Sequence, residues 1–506
     1  YRTADQHDTR TSRYHPNQRS GIHPDPELRS SVIPIVVLFV VAARSGHLSS
    51  AGAVTASYLG RYAGLLATAA VVGFMLLRAR EHEADLRAGT LTPSRADPPP
   101  APRWWRRVFN SHPTPVERAR ILRTPELFSI PRPVDAFGVS MLLGSTWIAV
   151  QFAVQDPIGA ALTGSYGGLV AAAFSGVLLT GTVGMSLRRQ ASTGARWPVG
   201  RRATYALALV VGAVLGQTTT VAITATGGWF GPYDGPLPLL VPLPVLLGSC
   251  GLAWLVARAT ARAEATSGAV RLATTATHLA VFSLALLIGQ EMQMYVHNGA
   301  TLWGAILVEA TVQAKPASIA LAMVAIAVAA AAVRGSGSLP TRLRKAFLPA
   351  LAAAVASAAV VFIRAEVPNA TDQDWIAQVR MDFWLAAVAG AAAATATLAV
   401  PGRKASRALV TGPATAVLAS VALFALRAQL QPSFSSPGAA LLQYLTGALS
   451  ILCLAILAAS AIALLTSARS SRWPNLRYRG VVVGASLIAS GLSVLLLRTN
   501  IPLIVV

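Results

Sequence analysis

The chain has 506 residues, of which 54% are hydrophobic and only 12% charged, and its formal net charge is +22. A soluble domain carries about 25% charged residues, so a chain of mean hydropathy +0.55 cannot cover a water-facing surface and belongs in a bilayer. The positive excess lies almost wholly between apolar runs, which makes it a signature of membrane topology and argues against nucleic acid as a partner.

Residues 1–30 are polar and contain no apolar region of a signal peptide. Beyond them about 13 apolar segments recur, and a segment of roughly 17–25 apolar residues spans a bilayer as a helix, because unpaired amides are not tolerated in lipid. The predicted cores are 32–43, 54–77, 134–154, 166–187, 203–226, 237–257, 270–290, 316–334, 345–363, 383–400, 408–427, 438–466 and 480–497. The first is short and carries Pro34, so it is either re-entrant or longer than its apolar run. The predicted fold class is all-α: a polytopic helical membrane protein of about 13 transmembrane helices with a cytoplasmic basic segment. Residues 1–133 form one region with two spans and that basic segment, and residues 134–506 a second region of about eleven spans.

Placing residues 1–30 in the cytoplasm and letting the spans alternate puts 35 of the 42 Lys and Arg residues in cytoplasmic segments and six outside, with Arg61 inside a span. That asymmetry predicts a multi-pass protein of the plasma (inner) membrane, with residues 78–133 also cytoplasmic and the C-terminus outside. Arginine far outnumbers lysine and alanine is abundant, a bias typical of high-GC bacteria. Cys250 and Cys453 both fall within apolar runs, where they read as small core residues, so no disulfide framework or cysteine zinc site is expected.

The apolar run Tyr62 to Leu77 ends in Arg78-Ala79-Arg80-Glu81-His82-Glu83-Ala84-Asp85. If the helix continues past Leu77, Glu81 and Asp85 lie on one face, four residues apart, at the membrane surface. A carboxylate held there is a candidate metal ligand, whereas read alone the stretch is equally a charged helix end whose arginines and carboxylates pair with each other. Downstream come a proline-rich stretch (Pro93, then Pro98 to Pro102 interrupted by Ala101) and Trp104-Trp105-Arg106-Arg107, which reads as a membrane-surface anchor. His112-Pro113-Thr114-Pro115-Val116-Glu117-Arg118 then reads as an extended lead-in to a short helix that Pro125 ends.

In the rest of the chain no Gly-rich phosphate loop, no Ser/His/Asp signature and no clear internal repeat is found. Ionisable residues in apolar spans can mark a transport path, and Arg61, His278, Glu291 and Asp382 are the candidates. All but His278 lie near predicted span ends, where snorkelling is the simpler account. Glu366, Asp372, Asp374 and Asp382 belong to an outer loop, 364–382, which reads as solvated.

Arg80-Glu81-His82-Glu83-Ala84-Asp85 resembles the Arg-Glu-x-x-Ala-Asp segment of the HtpX and CAAX-prenyl-protease class of integral membrane zinc metallopeptidases, peptidase family M forty-eight. His112-Pro-Thr-Pro-x-x-Arg118, with Leu122, Pro125, Leu127 and Phe128, is similar to the next segment of that family, and order and spacing both fit. The resemblance covers about residues 1–130. It implies one zinc ion with Glu81 as third ligand, Asp85 as the carboxylate that orients a ligating histidine, and accessory roles for Arg118 and His112. His82 matches none of the family's ligands, and Glu83 stands at a variable position. The implied function is hydrolysis of protein or peptide substrates at the cytoplasmic membrane surface. The family's His-Glu-x-x-His, which supplies two ligands and the general base, occurs nowhere in the 506 residues. Tyr1-Arg2-Thr3-Ala4-Asp5 resembles the residues directly after that motif, so the expectation is that it lies just upstream of Tyr1. This chain by itself would then hold no catalytic residue and be inactive. The competing expectations are a polytopic transporter, channel or scaffold without enzyme activity, and a degenerate homologue that keeps the fold without catalysis.

Overall fold

The computed structural model describes residues 51–88, 113–123, 130–158, 165–194, 197–218, 236–299, 315–334, 375–399, 405–430 and 436–466, with Ala305 and parts of 351–362. The chain divides into two compact units, Tyr1–Gly60 and Arg61–Val506. Of the first, residues 51–60 are described and are helical. The second unit holds the rest of the described helices and both apolar cores.

Every described element is a helix. In chain order they are α1 (Ala51–Ala88), α2 (Pro115–Arg123), α3 (Pro133–Ile158) and α4 (Ser165–Leu179), the last running through a π segment, Thr180–Gly184, into α5 (Met185–Thr193). Then come α6 (Val199–Thr218), α7 (Pro236–Leu240), α8 (Pro242–Glu264), α9 (Gly268–His297) and α10 (Lys315–Arg334). The last three are α11 (Trp375–Ala399), α12 (Ala405–Leu430) and α13 (Pro437–Thr466). Ser267 starts α9 by accepting a hydrogen bond from Val270 N at 3.4 Å, and Gly194, at φ +66°, ends α5 in the left-handed conformation that glycine adopts without strain.

Among the described residues eight helices are long and apolar enough to cross a membrane: Ala63–Asp85, Gly168–Thr193, Val199–Thr218, Pro242–Glu264, Gly268–His297, Gln378–Leu398, Ala405–Gln429 and Pro437–Leu465. A shorter apolar helix covers Ser318–Val333. These agree with an all-helical, multi-pass membrane protein. The predicted spans 32–43 and 480–497 lie outside the described residues, as does most of 345–363.

Apolar side chains cannot drive helix association in lipid, whose tails are as apolar as leucine, so close approach between backbones matters more. The tightest example is α3 against α6. A methyl group built at Gly216 would stand 2.9 Å from Gly144 Cα, and one built at Gly144 would stand 2.8 Å from Gln217 N. A methyl at Gly212 would collide with Ser140 Oγ and the Phe137 carbonyl. Gly212 and Gly216 therefore form a Gly-x-x-x-Gly stripe that lets the two helices touch along their backbones.

Among the described residues two large apolar cores result, beside a small patch of Ala263, Val270 and Ala331. One gathers Val245, Leu252 and Val256 of α8 with residues of α9 to α13. The other gathers Leu243, Leu246, Cys250 and Trp254 of α8 with Val72 of α1 and residues of α3 to α6. Helix α8 thus serves both, and Cys250 and Cys453 are buried core residues as their apolar surroundings predict.

Candidate functional site

Helix α1 does not stop at Leu77 but continues to Ala88, so Glu81 and Asp85 share one face as the sequence requires. Its buried stripe is Thr68, Val72, Met75, Arg78 and His82, spaced three and four residues apart. The stripe packs on α3 at Gly138, where a methyl group would stand 3.3 Å from Met75 Sδ and 3.5 Å from Val72 Cγ2. His82 is only 2% exposed, so the helix end is held against the bundle rather than projecting into solvent. Glu81 sits beside this stripe and is partly exposed.

Helix α2 begins with a reciprocal cap. Glu117 N donates to Thr114 Oγ1 at 3.2 Å and Thr114 N donates to Glu117 Oε2 at 3.2 Å. Pro115 takes the first helical position, where its missing N–H costs nothing. This start aims Arg118 at α1. Arg118 Nε donates to Asp85 Oδ2 at 2.6 Å and Arg118 Nη2 donates to Asp85 Oδ1, a two-pronged pair across 33 residues of sequence. The Asp85 carboxylate, with Glu81 adding attraction, holds the Arg118 guanidinium above its ordinary pKa. On the other side, Arg189 of α5 donates to Glu83 Oε2 at 2.9 Å. The octapeptide is therefore gripped from α2 and from α5. His112, Trp104, Trp105 and Tyr1 to Asp5 lie outside the described residues.

The donor set can be tested against zinc. A catalytic zinc takes three protein ligands and one open position. Among the described residues no group of three His, Cys, Asp or Glu side chains converges anywhere. Glu81 is a single carboxylate, Glu83 is paired with Arg189, and Asp85 gives one lone pair on each oxygen to Arg118. A carboxylate has about four such positions, so Asp85 retains acceptor capacity for an imidazole N–H. The described residues alone do not fit a zinc site.

The intramembrane candidates divide. His278 is fully buried in α9, its Nε2 3.0 Å from the Ala253 carbonyl oxygen, so it satisfies a helix–helix contact. It lies over Gly184 of the π segment, where a methyl group would stand 3.1 Å from Nδ1. Glu291 is half-buried in α9, and Arg61 lies in α1.

Asp382 corrects the sequence expectation. It belongs to α11, not to a solvated loop, and at 1% exposure it does not snorkel. Helix α11 starts at Trp375, eight positions before the predicted core, because the polar residues in its first turns face inward rather than ending the helix. Arg427 of α12 reaches Asp382 Oδ2 through Nη2 at 3.2 Å and donates to Gln378 Oε1 through Nη1. Tyr444 of α13 donates to Asp382 Oδ2 at 2.7 Å. Arg427 is 2% exposed. Four polar side chains from three helices thus form a buried network, and the sequence offers no local sign of it because the partners are 45 and 62 residues from Asp382.

No protein-family model, curated protein or solved structure matches this chain.

Proposed function

We propose that the chain is the membrane-embedded part of a zinc metallopeptidase resembling the HtpX and CAAX-prenyl-protease class, with Glu81 as one of three metal ligands. The observation that carries this reading is the Arg118–Asp85 pair. It joins the two segments that resemble the family, the glutamate helix and the His-Pro-x-Pro segment, although 33 residues separate the paired side chains. On this reading the remaining donors come from residues other than those described, and the reaction class is metal-assisted peptide hydrolysis. This chain's part is positional: α1 carries Glu81 to the membrane surface, Arg118 neutralises and orients Asp85, and Arg189 fixes Glu83 on the flank. Substrates are proteins or peptides at that surface. The proposed location is the plasma membrane of a bacterium, with residues 78–133 in the cytoplasm, in keeping with the distribution of basic residues.

The test is zinc content and peptide hydrolysis of the protein expressed from its complete gene, with Glu81→Gln and Glu83→Gln side by side. Glu81→Gln is expected to lose bound zinc and hydrolysis while Glu83→Gln keeps both. Unchanged zinc and hydrolysis in Glu81→Gln would refute the assignment.

A second reading is a polytopic membrane protein without enzyme activity, a transporter or scaffold. The Asp382–Arg427–Tyr444–Gln378 network favours it, since ionisable groups inside apolar helices often belong to transport paths. No hydrolysis and no zinc in the wild-type product of the complete gene would favour this reading over the first.

A further inference from the structure

The π segment Thr180–Gly184 separates two lengths of helix whose directions are fixed by different partners. Its wide turn is visible at Met185, whose N–H bonds to the Thr180 carbonyl five residues back. Such a turn holds one residue more than an α turn, and turns of this kind often lie at functional sites. The local cause is in the sequence. Thr182 Oγ1 donates to the Leu178 carbonyl at 2.6 Å, in competition with the backbone N–H that an α turn would bring there. Gly181 and Gly184 remove side-chain bulk from the same turn.

On the α4 side, Gly176 lies against α9, where a methyl group would collide with Ser283 Oγ. At the far end of the turn Gly184 lies against α9 as well, where a methyl group would stand 3.1 Å from His278 Nδ1 and 3.5 Å from Phe282 Cε2. Eight α-helical steps of about 100° would leave these two glycines about 80° apart around the axis. With one step absorbed by the wide turn they differ by only about 20°. The spare residue therefore lets both glycines meet α9.

It also aims α5, where four successive residues are committed. Leu187 is buried in the second apolar core. Arg188 donates to Glu264 of α8 at 2.8 Å and to Thr275 of α9 at 2.6 Å. Arg189 donates to Glu83 of α1 at 2.9 Å, and Gln190 accepts from the Trp254 indole of α8 at 2.9 Å. Narrowing the wide turn to α geometry would rotate α5 by about 100° and carry a side chain 5–6 Å from the axis through about 8 Å. Helix α5 is only nine residues long and ends at Gly194 in a left-handed turn, so a residue displaced from the π turn has a near exit.

We infer that the π turn regulates the hold on the Glu81 helix: its spare residue keeps α5 in the register in which Arg189 meets Glu83, and loss of the Gly184–His278 contact lets α5 turn and releases that hold. His278 thereby acts on α1 from α9, through a helix that touches both. The bearing of this device on zinc chemistry rests on the metallopeptidase reading, whereas its test involves no zinc and stands apart from that reading.

The test uses the full chain purified in mild detergent, with nitroxide labels at Ala84→Cys and Ser192→Cys, both exposed positions. Their separation is measured by double electron–electron resonance, with unsubstituted protein as the control for labelling of the buried Cys250 and Cys453. The otherwise unaltered chain is expected to give one narrow distance. Gly184→Ala, which presses on His278, and His278→Ala, which withdraws the contact without adding bulk, are each expected to shift that distance by several ångströms. Deletion of Gly181, where a methyl group would meet nothing within 4 Å, uses up the spare residue and should keep the original distance. Deletion of Gly181 and Thr182 together has no second residue to spare and should shift it. An unchanged distance in both Gly184→Ala and His278→Ala would overturn the inference. So would a shift in the single-deletion protein equal to that in the double, or its failure to fold, because the register on both sides of the turn should survive that deletion.

Discussion

The Asp382–Arg427 pair allows a quantitative prediction. Its side chains are 1% and 3% exposed and its N–O distance is 3.2 Å. At that distance the attraction is about 5 kcal/mol for an effective dielectric of about 20, before desolvation is subtracted. Replacing Asp382 by Leu removes the charge and leaves Arg427 buried with Gln378 as its acceptor and Tyr444 without its own. Breaking a buried pair from one side destabilises by about 3–5 kcal/mol, whereas replacing both partners by apolar residues of similar volume is often neutral. Asp382→Leu and Arg427→Met are therefore each expected to cost about 3 kcal/mol, and the double variant about 1 kcal/mol or less. Hydrogen bonds between helices in membranes average only about 0.6 kcal/mol, so costs of that size would mark an ordinary contact. The assay is reversible unfolding in bicelles by steric trapping, on the wild type, both single variants and the double variant. Single costs below about 1 kcal/mol that simply add in the double variant would refute the reasoning.

Three other outcomes are expected. Gly216→Val forces α3 and α6 apart and should abolish the monodisperse detergent-purified protein on size-exclusion chromatography, while Gly73→Ala, with nothing within 4 Å of the new methyl, should elute as wild type. Arg118→Ala should leave global stability within about 1 kcal/mol, because the pair is partly exposed and surface pairs are weak. It should nevertheless speed tryptic cleavage at Arg120 and Arg123, and unchanged cleavage would show that Asp85 does not hold α2. Cys250 and Cys453, both at most 2% exposed, should resist maleimide in the native protein and react on denaturation, and labelling of the native protein would contradict their place in the cores.

Helical class and membrane character are legible in the sequence because they rest on long apolar runs, a signal that needs no partner. The continuation of α1 through Asp85 and the short helix after Pro115 are legible too, since charge spacing and proline position are local. Asp382 misleads for the opposite reason. Arg380, Asp382 and nearby acidic residues look like a loop to any local reading, whereas Arg427 and Tyr444, brought in from other helices, pair with the buried carboxylate. The grip of Arg189 on Glu83 spans 106 residues and is equally invisible. The Gly212–Gly216 stripe does leave a signal that sequence reasoning missed: two glycines four apart in an apolar helix suggest backbone contact with a neighbour.

The double duty of α8 has a consequence for biogenesis. Its glycines at 248 and 251 are shaped to the backbone of α13 around Leu457 and Ser460, where a methyl group at Gly248 would stand 2.6 Å from the Leu457 carbonyl oxygen. That partner is synthesised some two hundred residues later, which at about 5–20 residues per second is about 10–40 s. Throughout that interval one side of α8 can be sealed against the earlier helices while the other lies open to lipid with a notch no acyl chain fills well. The nascent protein thus waits as a half-bundle, and the arrival of α13 is the event that closes it.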